Sequence, residues 1–114
     1  MAQTIFDKII AREISARIVY EDDDVLAFYD VAPKAPTHIL VIPKKPIENL
    51  LATTEHDTVL LGKLLAASVH VARAEGLASD GFRVVINTGK NGGQSVDHLH
   101  LHILGGRQMA WPPG

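Results

Sequence analysis

Near its C-terminus the chain runs His98-Leu99-His100-Leu101-His102-Ile103-Leu104, so that imidazole side chains alternate with aliphatic ones. Alternation at every second residue predicts a β-strand with two different faces, and we place that strand at residues 97–104. The aliphatic face belongs in a hydrophobic core. The other face displays three imidazoles, which are poor core material and can act as nucleophiles, bases or ligands.

Length and composition indicate one globular domain. The chain has 114 residues, 46% of them hydrophobic, and we expect a single domain over residues 1–114. A formal net charge of −2 gives no electrostatic basis for binding nucleic acid or an anionic membrane. The absence of cysteine excludes disulfides and thiolate metal sites. With no signal-peptide features and no apolar stretch near the ~20 residues of a membrane span, we expect a cytoplasmic protein.

Periodicity and turn residues predict the remaining elements. Thr4 is expected to cap a short helix over residues 5–11, with Asp7 completing a capping box. A long helix is predicted over residues 55–75, and its wide apolar surface suggests a dimer contact. Four further strands are predicted at residues 17–21, 25–30, 37–43 and 82–88. The short connections favour an antiparallel meander of five strands with one main helix.

Three interpretations of the histidine row compete, and two of them do not involve covalent chemistry. Surface exposure would explain one histidine, but it is an unsatisfactory account of three at strict alternation in a chain that has six. A metal site would need help from elsewhere, for instance from His38, because His98 and His102 would lie ~13 Å apart along an extended strand. His56 and His70 match no motif and are expected to be surface residues.

Chemistry on phosphorus is the third interpretation. A neutral imidazole is a good nucleophile near neutral pH because its ordinary pKa is about 6.5. The glycine-rich segment at residues 89–95 leads into the histidine strand, and its backbone N–H groups can hold phosphate oxygens without a basic protein. Ser95 adds a hydroxyl donor. These features favour transfer of a phosphoryl or nucleotidyl group through a covalent histidine intermediate.

The histidine row resembles, in full, the His-φ-His-φ-His-φ-φ signature of the histidine triad (HIT) superfamily, where φ is a hydrophobic residue. Other segments are similar to its histidine triad nucleotide-binding (HINT) branch: Phe28-Tyr29-Asp30-Val31-Ala32-Pro33-Lys34-Ala35-Pro36-Thr37-His38, Ile42-Pro43-Lys44-Lys45-Pro46, Asn87, Gly92-Gly93-Gln94-Ser95 and the tail 105–114. The similarity covers nearly the whole chain. The tail and the Gly92-Gly93-Gln94-Ser95 segment favour the HINT branch over the dinucleoside polyphosphate hydrolases.

The resemblance implies a fold and an activity. The fold is α+β and HIT-like, with a five-stranded antiparallel sheet, one long helix and a short N-terminal helix, in a homodimer whose sheet is continuous. The implied activity is hydrolysis of purine nucleoside phosphoramidates, such as adenosine 5′-monophosphoramidate or AMP-lysine, through a nucleotidyl-histidine that releases AMP or GMP. The alternatives are a nucleotide-binding regulatory or interaction protein with incidental activity, and a dinucleoside polyphosphate hydrolase. No cofactor and no metal are implied.

Matched by position, the resemblance implies catalytic roles for five residues. His100 would be the nucleophile, and His102 would contact the phosphate and stabilise charge on its oxygens. His98 and His38 would orient and polarise His100 through a hydrogen-bond chain. Ser95 would be a donor near the phosphate or the leaving group.

The resemblance also implies how the nucleotide is bound. Asp30 would accept hydrogen bonds from the ribose hydroxyls, and Val31 with Phe6 and Ile18 would enclose the base. The Trp111 tail is expected to reach toward the partner subunit's site. Contacts with the sugar and phosphate would come from Asn87, Gly93 and Gln94, besides Ser95, His100 and His102.

Overall fold

Five antiparallel strands form one sheet in the spatial order β1-β2-β3-β5-β4. The computed structural model describes residues 3–114. The strands are β1 (Ile18–Glu21), β2 (Val25–Tyr29), β3 (Thr37–Pro43), β4 (Phe82–Val85) and β5 (Leu101–Gly105). The helices are α1 (Ile5–Ile10), α2 (Thr58–Ala74) and the one-turn α3 (Gly89–Gly92), with 3₁₀ turns at Leu50–Ala52 and Glu55–Asp57. The α+β fold with its five-stranded antiparallel sheet and one long helix is confirmed. The expected meander is wrong for the last two strands, because β5 lies between β3 and β4.

The central strands are buried on both faces, and alternate side chains pack against different helices. One cluster contains residues of α2 together with Val25, Ala27, Ile39 and Val41. A second cluster contains Phe6 and Ile9 of α1 together with Leu26, Phe28, Leu40 and Ile42. The sheet therefore lies between the two helices, and neighbouring residues of β2 and β3 face opposite layers.

The histidine row follows the same division. Leu99, Leu101 and Ile103 lie in the cluster that packs against α2, so the imidazoles between them face the α1 side of the sheet. In the ladder His102 lies opposite Leu40 of β3, which belongs to the α1 cluster. The predicted separation of aliphatic and imidazole faces is therefore present.

The sequence predicts the last strand at residues 97–104, but β5 begins only at Leu101. Its partner β3 ends at Pro43, which has no N–H to donate to a ladder. Beyond that point the chain bends, and the Leu99 N–H donates to the Ile47 carbonyl at 2.7 Å instead. His98 and His100 therefore precede the ladder while keeping the same alternation.

The other predicted elements are present with altered ends. The Thr4 capping box of α1 is confirmed, since Thr4 and Asp7 exchange hydrogen bonds. The long helix begins at Thr58 because a second capping box, Thr54 with Asp57, closes a 3₁₀ turn before it. Strand β4 ends at Val85, whose partner His102 lies next to the start of β5. Part of the predicted glycine turn is helix α3, which Gly93 ends with a left-handed φ of 76°.

No helix within residues 3–114 is long and apolar enough to cross a bilayer.

We expect Gly106→Ala to lower the free energy of unfolding more than Gly81→Ala does. Both glycines have φ near 90°, which costs any other residue roughly 1 kcal/mol or more. A Cβ at Gly106 would also lie 2.8 Å from the Cβ of Pro36, whereas nothing lies within 4 Å of one at Gly81. Overpacking adds roughly 1–3 kcal/mol. Urea unfolding of both variants measures the difference, and equal losses would show that Pro36 yields without cost.

Candidate active site

The imidazole face opens onto a cavity of about 250 Å³ between α1 and the sheet. His100, His102, Asp30 and Ser95 supply its polar groups near the strand ends. The rest of its wall is largely apolar and comes from α1, the connection that follows it, and the central strands: Ile5, Phe6, Ile9, Ile14, Ala16, Phe28, Leu40 and Val96. An apolar slot with a few convergent polar groups is the usual form of a small-molecule site.

His100 is buried, and its tautomer follows from one hydrogen bond. Its Nδ1 lies 2.7 Å from the backbone carbonyl oxygen of His98, an acceptor, so the network assigns the proton to Nδ1. The lone pair is then on Nε2. Burial lowers the pKa of His100 below its ordinary value, which keeps the ring neutral near pH 7. His100 is thus a neutral imidazole with a free ring nitrogen, as nucleophilic attack requires.

The tautomer of His102 follows from a chain of two hydrogen bonds. The Lys34 N–H donates to Nδ1 of His38 at 3.0 Å, so Nε2 of His38 carries the proton. That Nε2 donates to Nδ1 of His102 at 2.9 Å, which places the remaining His102 proton on its Nε2. This buried Nε2 has no hydrogen-bond partner among residues 3–114. His102 therefore has one N–H donor that no described residue uses.

The environment keeps that donor uncharged. Burial, together with the neighbouring His100 and His38, lowers the pKa of His102 to about 4. His38 is buried as well, and burial is the main reason that its pKa is lowered. A neutral, unpartnered N–H on a ring that lines the cavity is suited to an anionic oxygen, because it has no other partner to give up.

The hydrogen bonds of His38 and His98 differ in part from those that the resemblance implies. His38 bonds to His102, so the chain from His38 does not end on His100. The Nε2 of His98 donates to the carbonyl of Pro43 at 2.8 Å, and only the backbone carbonyl of His98 holds His100. The reason is the β3–β5 register, in which His38 lies opposite Leu104 and beside His102.

Asp30 lies where the polar and apolar walls of the cavity meet. Its Oδ1 accepts the Ala32 N–H at 2.8 Å, and its Oδ2 lies 3.5 Å from Nε2 of His38. Val31 also lines the cavity but is 97% exposed, so it forms a rim that nothing covers from outside. Phe6 is a wall residue as expected, whereas Ile18 does not line the cavity.

The glycine-rich segment contributes Ser95 to the cavity wall, while its other implied contacts lie outside that wall. Gln94 accepts the Gly89 N–H at 3.0 Å and donates to the carbonyls of Glu48 and Val96, at 2.8 and 3.0 Å. Its side chain is therefore committed to bracing the segment against the chain after β3. Asn87 and Gly93 do not line the cavity either.

Asp30, His38 and His102 bring three ligating atoms within 4.8 Å of one another, the one such group among the described residues. The combination of His98, His100 and His38 is not brought together in this way. His38 Nε2 and His102 Nδ1 are only 2.9 Å apart. Two ligands of a tetrahedral zinc ion, with bonds of about 2.0–2.1 Å, lie about 3.3 Å apart. A shared proton fits this pair better than a metal does.

Most of the cavity-wall side chains that the sequence did not indicate are apolar, and Ser15 is a polar one. Ile5, Ile9, Ile14 and Ala16 line the cavity, and the first two are part of the amphipathic pattern of α1. Ile14 and Ala16 lie in the irregular connection between α1 and β1, where no periodicity marks a buried face. His56 and His70 are exposed, as predicted.

Comparison with known proteins agrees with this geometry. A family model described as the HIT domain matches residues 11–109. The chain belongs to the HIT domain family. A HIT-like protein of Synechococcus elongatus that is called uncharacterized is 64% identical over 111 residues, covering 97% of this chain and 96% of the relative. A 14 kDa zinc-binding protein of Zea mays is 57% identical over 113 residues, covering 97% and 88%.

Solved structures of HIT proteins share the whole fold. A HIT family hydrolase from Legionella pneumophila has a TM-score of 0.96 at 49% identity, over 98% of this chain and 100% of that one. A histidine triad protein from Clostridium difficile has a TM-score of 0.92 at 42% identity, over 96% and 97%. The match extends over the sheet and helices that position the histidine row, so it concerns the entire HIT fold.

We expect the free energy of unfolding to fall as the pH is lowered from about 6.5 to about 4. The folded pKa of His102, about 4, lies below its ordinary value of 6.5, so the unfolded chain binds the proton more readily across this range. His38 and His100 act in the same direction. Urea unfolding at a series of pH values measures the slope. His102→Gln should make it shallower, and an unchanged slope would mean that His102 is not the buried neutral group described.

Proposed function

We propose that this HIT protein is a purine nucleoside phosphoramidate hydrolase of the HINT branch, acting as one domain over residues 1–114. The observation that carries the proposal is the pairing of two opposite ring nitrogens at one cavity. His100 offers an Nε2 lone pair, and His102 offers an Nε2–H donor. A nucleophile and an anion donor side by side are what attack on a phosphorus centre needs.

In the first step the Nε2 lone pair of His100 forms a bond to the α-phosphorus. The P–N bond breaks, and its electron pair leaves with the amine nitrogen, which takes up one proton. We assign that proton to solvent through the hydroxyl of Ser95, an exposed residue of the cavity wall. The His98 carbonyl retains the Nδ1 proton of His100, so the nucleotidyl-imidazole is cationic and can leave again.

In the second step water attacks the phosphorus and releases AMP or GMP. The P–O bond forms, the bond to Nε2 breaks with its electron pair returning to the ring, and the water loses one proton. That proton balances the one taken up by the amine. Throughout both steps His102 donates from Nε2 to a phosphate oxygen, and this contact strengthens as charge develops there.

The cavity also suits a nucleoside. Its apolar wall between α1 and the sheet accepts a purine through Phe6, Phe28 and Leu40, with Val31 at the rim. Asp30 lines the same cavity, and we assign to its carboxylate the role of accepting the ribose hydroxyls. A groove of about 840 Å³ shares Ser95 and Val96 with the cavity wall and leads away from it, which gives the amine a path of departure.

We expect His100→Ala to abolish cleavage of an AMP-lysine analogue, because no other free imidazole nitrogen replaces Nε2 at this position. Wild type mixed with the same substrate and quenched rapidly should gain the mass of one AMP group, and His100→Ala should not. Loss of a covalent nucleophile lowers kcat by roughly 10³-fold or more. His56→Ala, at an exposed imidazole of the second 3₁₀ turn, is the matched control and should keep full activity.

Two further measurements separate the alternatives. Diadenosine polyphosphates belong in the same substrate panel, and faster turnover of them than of phosphoramidates would overturn the choice of branch.

Wild type should stay fully active after treatment with a chelator, because a proton already occupies the space between His38 and His102. Cleavage by His100→Ala at the rate of wild type would refute the covalent mechanism.

We also propose a homodimer in which two β4 strands pair and the α2 helices pack together. One edge of β4 has no neighbouring strand within the described chain, and unpaired edges favour strand addition. Both elements have exposed apolar side chains. Phe82 of β4 is 37% exposed, and Leu65 and Val69 of α2 are 50% and 41% exposed. The exposed Trp111 lies beside Arg83 of β4, so the tail is placed to continue across that edge.

We expect wild type to sediment as a dimer, and Val69→Lys to shift it toward the monomer, because a buried unpaired ammonium opposes association. Analytical ultracentrifugation measures the mass. Lys8→Ala, at an exposed site on α1, is the control and should stay dimeric. A monomeric wild type at micromolar concentration would contradict the proposal.

A further inference from the structure

His98 is the most buried of the imidazoles, and one of its nitrogens is unexplained. The residue is 0% exposed, and its Nε2 donates to the Pro43 carbonyl at 2.8 Å. Its buried Nδ1 has no hydrogen-bond partner among residues 3–114. An unpaired polar atom in the interior destabilises a fold, so this position calls for a physical explanation.

Asp7 of α1 faces that nitrogen. Its Oδ1 lies 3.6 Å from Nδ1 of His98. Its other oxygen, Oδ2, accepts the Thr4 N–H at 2.8 Å and the Thr4 hydroxyl at 3.2 Å. The capping box therefore turns one carboxylate oxygen toward the start of the helix and leaves the other toward the histidine row.

The two facing atoms attract each other only if a proton lies between them. A carboxylate oxygen only accepts, and the one proton of a neutral His98 is already on Nε2. Without a further proton, two lone pairs would face each other in a buried place. With one, the contact is an ion pair of zero net charge, whose two atoms lie 3.6 Å apart.

We propose that Asp7 is a positioning residue of the active site, and that its carboxylate forms an ion pair with a His98 ring that carries a proton on Nδ1 as well as on Nε2. Through His98 it fixes the carbonyl that holds Nδ1 of His100. Phe6, next to Asp7, packs edge-on against the His98 and His100 rings, at 6.0 and 5.1 Å between ring centroids. Helix α1 thus meets the histidine row with two consecutive side chains. The consequence for catalysis rests on the proposed hydrolase function.

The surrounding groups are compatible with a proton at this place. Asp7 faces His98 from α1, and β3 contributes the uncharged Pro43 carbonyl. His100 is the titratable neighbour in the same segment, and its own ring proton is committed to the His98 carbonyl. The carboxylate of Asp7 is therefore the group that balances a charge on His98.

The first test observes the proton without any substrate. In ¹⁵N-histidine-labelled wild type at about pH 7, NMR should show both ring nitrogens of His98 protonated. Asp7→Asn keeps an oxygen for the Thr4 N–H but removes the charge, and Nδ1 should become unprotonated. Asp57→Asn is the matched control, because Asp57 completes the other capping box and accepts the Thr54 N–H at 2.9 Å. It should leave the His98 signals unchanged.

The second test measures turnover of the AMP-lysine analogue. Asp7→Ala should lower kcat by about tenfold and change KM by less than about twofold, because the ion pair behind the nucleophile is lost. Thr4→Ala weakens the same helix cap but keeps the Asp7 carboxylate, so it should lower the Tm and leave kcat unchanged.

The outcomes separate this inference from the hydrolase proposal. An unprotonated Nδ1 in wild type, or unchanged His98 signals in Asp7→Asn, overturns the Asp7–His98 ion pair whatever the enzyme cleaves. Equal losses of kcat in Asp7→Ala and Thr4→Ala would show that Asp7 acts only as part of the helix cap. A wild type with a doubly protonated His98 that cleaves no phosphoramidate would keep the Asp7–His98 ion pair and refute the proposed function instead.

Discussion

The hydrogen bond from Nδ1 of His100 to the carbonyl of His98 is the constraint on which the rest of the site depends. It is buried and 2.7 Å long, and it decides which nitrogen of His100 carries a lone pair. This bond can form because residues 98–100 precede the ladder of β5. The His98 carbonyl therefore accepts from a side chain instead of from a neighbouring strand. The start of β5 at Leu101, later than predicted, therefore contributes to the geometry of the site.

Each imidazole of the row has one ring nitrogen fixed by a different part of the fold. His98 is held by the end of β3, His100 by its own backbone, and His102 by His38 from the start of β3. Strand β3 lies between β2 and β5, so it reaches both ends of the row. A ring fixed through one nitrogen presents the other in a definite direction, so Nε2 carries a lone pair in His100 and a proton in His102.

The alternation of the row, the two helices and the strands could be predicted from the sequence, because period 2, period 3.6 and capping residues are local patterns. The partner of His38 could not, since it depends on the β3–β5 register that places His38 beside His102. Gln94 was expected to contact the substrate, but it braces the loop through a carbonyl 46 residues away. Such contacts between distant segments leave no periodic trace in the sequence.

A chain with a net charge of −2 can still serve an anionic substrate if its donors are neutral and hold no other partner. Burial keeps His100 and His102 uncharged near pH 7, since it lowers the pKa of both rings. A cation in their place would bind the phosphate of substrate and product alike, and such uniform binding does not raise kcat. A neutral N–H gains most as charge develops on the phosphate oxygens. In the proposed hydrolase, the phosphate would repel Asp30, the acidic residue of the cavity wall, and this repulsion favours the proposed contact of Asp30 with the ribose.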